Sequence, residues 1–445
     1  MTSARVEVTP SGELRVLERA PIVERASWAL YDFANTIFSM NIATLYFAVW
    51  IVTERGASAT MFSIATSASS AVVLFAAPYL GARSDLSRRR KPWVVGLTLA
   101  CVAATAFLAP LAGASLAPAT SLVLLLATFA VADVAYQLAL PFYNAMMPEL
   151  VPESEHGRLS GVGTAVGYAG SIVGVLAAAP FVSGQWSIGG PPGRPAAFLP
   201  TAALFLLFSL PLFFLCHDHV PRPRSERRAV KFGEIAAKIA EAFGQTRKYP
   251  GLRRFLFASY LYQDALGTAI AFMAIYAVKV LGLARGEETR LFVALTVPAV
   301  IGSFLAGLVS DRLGPRRTLL IVLWGWVAGL AAIALAPNLS AFWAGGVLLG
   351  FVFGGIWSVE RPLLLTLVPD AEGGRFFGLL VLSARAAAIA GPLLWAFVAD
   401  HVFAGFGAGV SYRAAVASLI LFMLGAIVLL RGVPDARLHS RRASA

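Results

Sequence analysis

Charge is what this chain is short of. Asp, Glu, Lys and Arg make up only 13% of its 445 residues, where a soluble protein carries about 25%. So few charges cannot cover the surface of soluble domains, and the bilayer must be the main solvent. Cysteine is nearly absent. Cys101 lies inside an apolar run and Cys216 at the end of one, a placement that argues against a disulfide or a metal site. Acidic residues number 24 against 36 basic ones, but the basic excess sits in short loops, where it reads as a topology signal and not as a nucleic-acid surface. Residues 1–26 alternate acidic and basic side chains with no apolar core, so they are not a cleavable signal peptide. Nowhere is there a Gly-x-x-x-x-Gly-Lys-Ser/Thr loop, a His-Glu-x-x-His or a Gly-x-Ser-x-Gly. Direct nucleotide drive and membrane-enzyme chemistry therefore have no support, and no catalytic residue, cofactor or metal is expected.

What is present is hydrophobic, at 58% of the residues. Crossing the hydrocarbon core takes roughly 20 apolar residues as a helix. Twelve such runs can be marked, approximately at 27–51, 61–82, 93–112, 119–145, 159–182, 197–216, 254–280, 291–310, 317–336, 341–368, 376–399 and 411–431. The longest polar stretch, 217–253, divides them six and six. The expected organisation is an all-α membrane protein: a tail (1–26), a six-helix half (27–216), a central loop (217–253), a second six-helix half (254–431) and a basic tail (432–445). Placing the tails and even-numbered loops in the cytoplasm puts 28 of the 36 Lys and Arg there and six outside, with Arg361 and Arg385 inside helices. Both termini are thus expected to be cytoplasmic. Within the central loop, Ile235, Ile239 and Phe243 recur every four residues, as in an amphipathic helix on the inner membrane surface, or by chance in a linker.

The chain repeats itself. Gly81-Ala-Arg-Ser-Asp85-Leu-Ser-Arg88-Arg89-Arg90-Lys91 returns 226 positions later as Gly307-Leu-Val-Ser-Asp311-Arg-Leu-Gly-Pro-Arg316-Arg317. Asp32 is followed by Thr36 in the first run as Asp264 is by Thr268 in the seventh. Pro152-Glu-Ser-Glu155-His-Gly157-Arg158 matches Pro369-Asp-Ala-Glu372-Gly-Gly374-Arg375. Three landmarks in the same order point to doubling of one membrane unit, a common origin of carriers.

Charges inside spanning helices cost several kcal/mol at most on insertion scales (about 2.5–3.5 each), so they turn inward to a task or a partner. Asp32, Asp133, Asp264, Glu360, Arg361 and Arg385 are such charges. Asp32, Asn35 and Ser39 follow helical spacing, as do Asp133, Gln137, Pro141 and Asn144, and Tyr260, Asp264 and Thr268. Carboxylates can hold a proton or an amine, and a guanidinium can clamp a carboxylate. The candidate binding set is Asp32, Asn35, Asp133, Gln137, Tyr262, Asp264, Arg361 and Arg385. Glu360 points about 100° around the helix from Arg361 and is left out. The bland alternative is that these charges pair with each other and hold the bundle together. The glycines of the fifth run, Gly161, Gly163, Gly167, Gly170 and Gly174, read as helix packing, and Gly391-Pro392 as a bend in the eleventh.

Twelve helices, the central basic loop and the doubled Gly-x-x-x-Asp turn resemble the major facilitator superfamily over residues 27–431. Trp28-Ala-Leu-Tyr-Asp32-Phe-Ala-Asn35, Phe255-Leu-Phe-Ala-Ser-Tyr-Leu-Tyr262-Gln-Asp264 and Phe376-Phe-Gly378 with Gly391-Pro392-Leu393 are similar to its vacuole-effluxer-like branch, which includes autophagy-related amino acid exporters. Arg385 stands where such relatives commonly carry Lys. The resemblance implies two pseudo-symmetric halves rocking around a central cavity lined by the first, fourth, seventh and tenth helices. It also implies a cytoplasmic latch, here Gly81, Asp85, Arg88 and Arg158 with Gly307, Asp311, Arg316 and Arg375. The expected activity is secondary transport of a small polar solute, most readily amino acid efflux, with possible proton coupling, by a monomer in a bacterial inner membrane. A lipid flippase or scramblase, or a non-transporting sensor, is the alternative.

Overall fold

The computed structural model describes the chain apart from residues 1–4, 9–13, 56, 58, 88, 188–192, 220–243, 282–287, 370–371, 388–389, 399–401 and 435–445. Among the described residues the apolar runs are helical, because inside a bilayer every main-chain polar group must find its partner within its own segment. The first helix begins at Ile22, runs to Phe38, passes through a π-helical stretch, Ser39–Leu45, and ends as Tyr46–Thr53. The second to sixth are Ala59–Ser87, Lys91–Gly113, Pro118–Met146, His156–Val182 and Phe198–Leu215. The seventh to tenth are Leu252–Leu281, Glu288–Leu313, Pro315–Ala334 and Leu339–Leu367. The eleventh is described over Gly373–Ala386 and Ala390–Phe397, with residues 388–389 between them outside the described residues, and the twelfth is Ala408–Arg431. Ten stretches among the described residues are long and apolar enough to cross a membrane by composition alone.

The first tail is not featureless. Arg5–Val8 and Leu14–Glu18 pair as antiparallel strands, and the charged–apolar alternation of Arg5-Val-Glu-Val8 is the period of a strand. Most of the central loop's apolar repeat, including Ile235, Ile239 and Phe243, lies outside the described residues.

The helices form two compact units. The first comprises Met1–Pro152, Val166–Ala240 and Asp370–Gly378, and the second Glu153–Ala165, Glu241–Pro369 and Leu379–Ala445. The two stretches that leave their own half, 153–165 and 370–378, contain the matched Gly-Arg landmarks. In the first unit Phe38, Phe47, Trp50, Phe129, Phe198 and Phe205 make an aromatic core. Trp28 and Tyr143 lock the first helix to the fourth: each donates to the other's main-chain oxygen at 3.0 Å while their rings stack at 4.6 Å. In the second unit Tyr276 donates to the Ile333 carbonyl at 2.9 Å, and Arg413 caps the end of the ninth helix through the Ala334 and Ala336 carbonyls. Leu176, Leu207, Ile321, Leu421 and Val428 point outward and are exposed, as hydrocarbon-facing side chains must be.

Candidate functional site

The polar stripes of the first and fourth helices are buried in the first unit. Asp32 and Asn35 are buried one turn apart, and both ends of the Asn35 amide lack a hydrogen-bond partner. Gly167 allows the fifth helix to approach here: a Cβ at that position would sit 2.9 Å from Thr36 Oγ1 and 3.5 Å from Asp32 Cβ. The neighbouring Tyr31 hydroxyl shares a 2.5 Å hydrogen bond with Thr98. On the fourth helix, Gln137 Nε2 donates to Asp133 at 2.6 Å, an i, i+4 pair. Gln137 Oε1 and Asn144 Oδ1 are buried without a partner.

The seventh and tenth helices supply the polar centre of the second unit. Glu360, buried, accepts from Tyr262 Oη at 2.6 Å, from Ser259 Oγ at 2.8 Å and from Gln263 Nε2 at 3.2 and 3.3 Å. Sequence reasoning took Arg361 from this pair and passed over Glu360. The spacing of Ser259, Tyr262 and Gln263, three and four residues apart, could have pointed to a common acceptor on a facing helix. Arg361 is half-buried. Asp264 and Thr268, one turn apart, are each 1% exposed; the Gly391 main-chain N–H faces the Asp264 carboxylate, and Thr268 Oγ1 has no hydrogen-bond partner. Arg385 lies in the helix Gly373–Ala386, and its side chain is outside the described residues. Asp32 and Asp133 are placed in one unit, and Asp264, Glu360 and Arg361 in the other.

The second copy of the charged turn has a definite geometry. Asp311 Oδ1 accepts from the Gly157 main-chain N–H and Oδ2 from that of Arg158, both at 2.8 Å. A carboxylate at the first turn of His156–Val182 satisfies two of the helix's unpaired N–H groups and meets its dipole. Gly307 makes the approach possible, since a Cβ there would stand 2.4 Å from the Gly157 carbonyl oxygen and 2.9 Å from Gly161 Cα. The exposed Arg158 side chain takes no part in these bonds. Arg316 instead caps the twelfth helix, donating to the Leu430 carbonyl at 3.0 Å and the Arg431 carbonyl at 2.5 Å. In the first copy Gly81 is buried within the helix Ala59–Ser87. The side chain of Asp85 and all of Arg88 lie outside the described residues. Arg375 stands 3.9 Å from Glu372 and over the Phe376 ring.

A further polar cluster in the first unit escaped the sequence reading. Arg90 and Glu149, 3% and 2% exposed, form an ion pair at 2.9 Å. Asp218 Oδ1 accepts from the main-chain N–H groups of Arg90 and Lys91, capping the third helix. His219 N–H donates to Glu149 at 2.8 Å, and its ring lies 2.7 Å from Glu24. Cys216 donates to the Glu24 carbonyl at 3.2 Å. Among the described residues, no cluster of His, Cys, Asp and Glu could hold a metal ion.

Comparison with known proteins agrees with the fold. The family model described as "Vacuole effluxer Atg22 like" matches residues 44–441. The "Uncharacterized MFS-type transporter YxiO" of Bacillus subtilis (strain 168) is 26% identical over 92% of this chain and 94% of its own length. "Multidrug resistance protein MdtG" of Proteus mirabilis (strain HI4320) is 24% identical over 62% of this chain and 65% of its own length. Among solved structures, the E. coli fucose:proton symporter FucP superposes with a TM-score of 0.67 at 17% identity, covering 92% of this chain and 97% of the symporter chain. A bacterial homologue of the iron transporter ferroportin in its outward-facing state gives 0.68 at 14% identity, covering 92% and 98%.

Proposed function

Because the chain belongs to the vacuole effluxer Atg22-like family of major facilitator transporters, we propose that it exports amino acids or similar small zwitterions across a bacterial inner membrane by alternating access, driven by protons. The observation that carries this reading is a set of buried polar atoms without partners at positions picked out by helical spacing: Asn35, Gln137 Oε1, Asn144 Oδ1 and Thr268 Oγ1. Buried polar groups are almost always hydrogen-bonded, so each group left open on its own helix is one that cargo, water or a proton can complete. Carboxylates at Asp32, Asp133 and Asp264 suit an ammonium group, and guanidinium groups at Arg361 and Arg385 suit a carboxylate. Gln137 orients Asp133, and Tyr262 is held by Glu360. Efflux is favoured by the family's description and by the relative named for multidrug resistance.

The two charged turns serve as latches in this reading. Asp311 releases the first turn of His156–Val182 as the transporter changes state, and Asp85 does the same for the matched segment of the other half. Gly81 and Gly307 permit the close approach, while the arginines Arg88, Arg158, Arg316 and Arg375 hold the basic side in the cytoplasm.

The test is uptake of a labelled amino acid mixture into proteoliposomes, with and without an outward (acid-inside) proton gradient, by the wild type, Asp32→Asn and Asp311→Asn. Gradient-dependent uptake is expected. It should fall roughly 10- to 100-fold in Asp32→Asn, the loss of a charge-assisted hydrogen bond worth about 1.5–3 kcal/mol. Asp311→Asn should slow uptake without changing which amino acids are carried. If no amino acid enters under either condition, the substrate assignment fails.

A further inference from the structure

The seventh helix opens beside a concentration of positive charge. Arg247 and Lys248 precede it, Arg253 and Arg254 stand in its first turn, and no Asp or Glu occurs anywhere from 242 to 263. The sequence separates the two basic pairs by a short spacer, and the structure folds them together. Thr246–Lys248 is a single 3-10 turn. Tyr249-Pro250-Gly251-Leu252 then reverses the chain. The Leu252 N–H donates to the Tyr249 carbonyl at 3.2 Å, with a φ of +84° at Gly251, the Pro-Gly pattern of a type II turn. Arg253 Nε closes the loop by donating to Oγ1 of the buried Thr246 at 3.0 Å.

All four basic side chains are exposed. Among the described residues, none of them pairs with a carboxylate. Arg254 is committed to the Gly432 carbonyl at 2.7 Å, at the end of the twelfth helix. The side chains of Arg247 and Lys248, and the outer nitrogens of Arg253, bond to nothing else among the described residues. Like charges gathered without an acid repel one another, so this fold leaves a place for an anion.

The surface next to the cluster says which kind of anion. Leu252, Phe255 and Leu256 turn inward and are buried, whereas Phe257 is 65% exposed. Residues four apart share a helix face, so Arg253 stands directly over an aromatic ring that faces hydrocarbon. A phospholipid presents its groups in that same order, phosphate first and acyl chain beneath. A soluble anion would gain nothing from Phe257.

We propose that Arg247, Lys248 and Arg253 bind the headgroup of an anionic phospholipid in the leaflet at this end of the helices, with Phe257 against its acyl chain. The guanidinium of Arg253 suits a phosphate in bidentate fashion, and Arg247 and Lys248 add charge from across the turn. Basic clusters beside a spanning helix attract anionic lipid roughly fivefold more strongly for each cation. The site is independent of which solute is carried.

Native mass spectrometry of the full chain in detergent tests this. The protein is titrated with phosphatidylglycerol or with phosphatidylcholine of identical acyl chains, which holds the apolar contact constant. The wild type should bind phosphatidylglycerol more tightly, and added salt should weaken the preference. Arg247→Gln combined with Lys248→Gln should weaken phosphatidylglycerol binding roughly fivefold per cation and leave phosphatidylcholine binding unchanged. These two side chains hold no other part of the described fold, so the pair decides the matter even if a further Arg253→Gln unfolds the protein. Removing three charges from the basic tail instead, Arg437→Gln, Arg441→Gln and Arg442→Gln, should change nothing. Equal affinity for the two lipids, undiminished phosphatidylglycerol binding in the pair variant, or an equal loss in the tail variant overturns the proposal. Competition by inorganic phosphate at matched ionic strength overturns it in favour of a soluble anion.

Discussion

Arg90 and Glu149 show how much at the level of single residues depends on distant partners. Both are almost fully buried and pair at 2.9 Å, with Arg90 also donating to the Ala145 carbonyl. A buried pair adds little net stability over an apolar one, but removing one member strands the other charge, at a cost of about 3–5 kcal/mol. Arg90→Ala should therefore lower the thermal midpoint of the detergent-purified protein clearly. An unchanged midpoint would mean that Glu149 finds another way to be satisfied. In the sequence Arg90 is one of a run of basic residues after the first charged turn and reads only as a topology signal. Its neighbours in the cluster, Glu149 and Asp218, are 59 and 128 positions away, and nothing in the local spacing announces them. Glu360 was hidden for a related reason. Its neighbour Arg361 drew the eye as a carboxylate clamp, while the donors that hold Glu360 stand on a different helix.

Whole helices meet where side chains are smallest. The glycine stripe of the fifth helix was legible as a packing surface, and it fits that reading at its far end. A Cβ on Gly170 would lie 2.4 Å from the Phe33 carbonyl oxygen and 2.7 Å from Phe33 Cα, main-chain atoms that cannot step aside. Gly170→Ala should cost about 1–3 kcal/mol by overpacking. Gly96→Ala, on the third helix where nothing lies within 4 Å, should be neutral or stabilising by up to about 1 kcal/mol. Thermal unfolding of the two variants side by side checks this, and equal behaviour would contradict it. The same stripe has a second use that spacing could not reveal. Gly157 and Gly161, at its near end, pack against Gly307 and its neighbours in the second unit, so one helix contributes to both units. The eleventh helix was expected to bend at Gly391-Pro392. Gly391 lies within Ala390–Phe397, where its missing side chain brings the main chain against Asp264 and Thr268.

For the molecule as a whole, the distribution of Lys and Arg makes the strongest prediction. With 28 of 36 assigned to one side of the twelve helices, a fluorescent-protein fusion at the C-terminus should light up inside the cell and an alkaline phosphatase fusion there should be inactive. A phosphatase placed in the loop near Trp186 should be active. The opposite pattern would invert the topology and, with it, the side on which the charged turns act.

The sequence by itself determined the solvent, the number of spans, their doubling and the superfamily, because these depend on composition and on local repeats that survive being read one residue at a time. It also marked the stripes Asp32 and Asn35, Asp133 and Gln137, and Asp264 and Thr268, since helical spacing alone puts each on one face. Only the tertiary structure decided which of those polar groups are satisfied and which are open. Asp133 has Gln137 and Glu360 has three donors, while the Asn35 amide has no partner. Partnership is a property of what a facing helix brings within about 3 Å, and no spacing within one helix contains it.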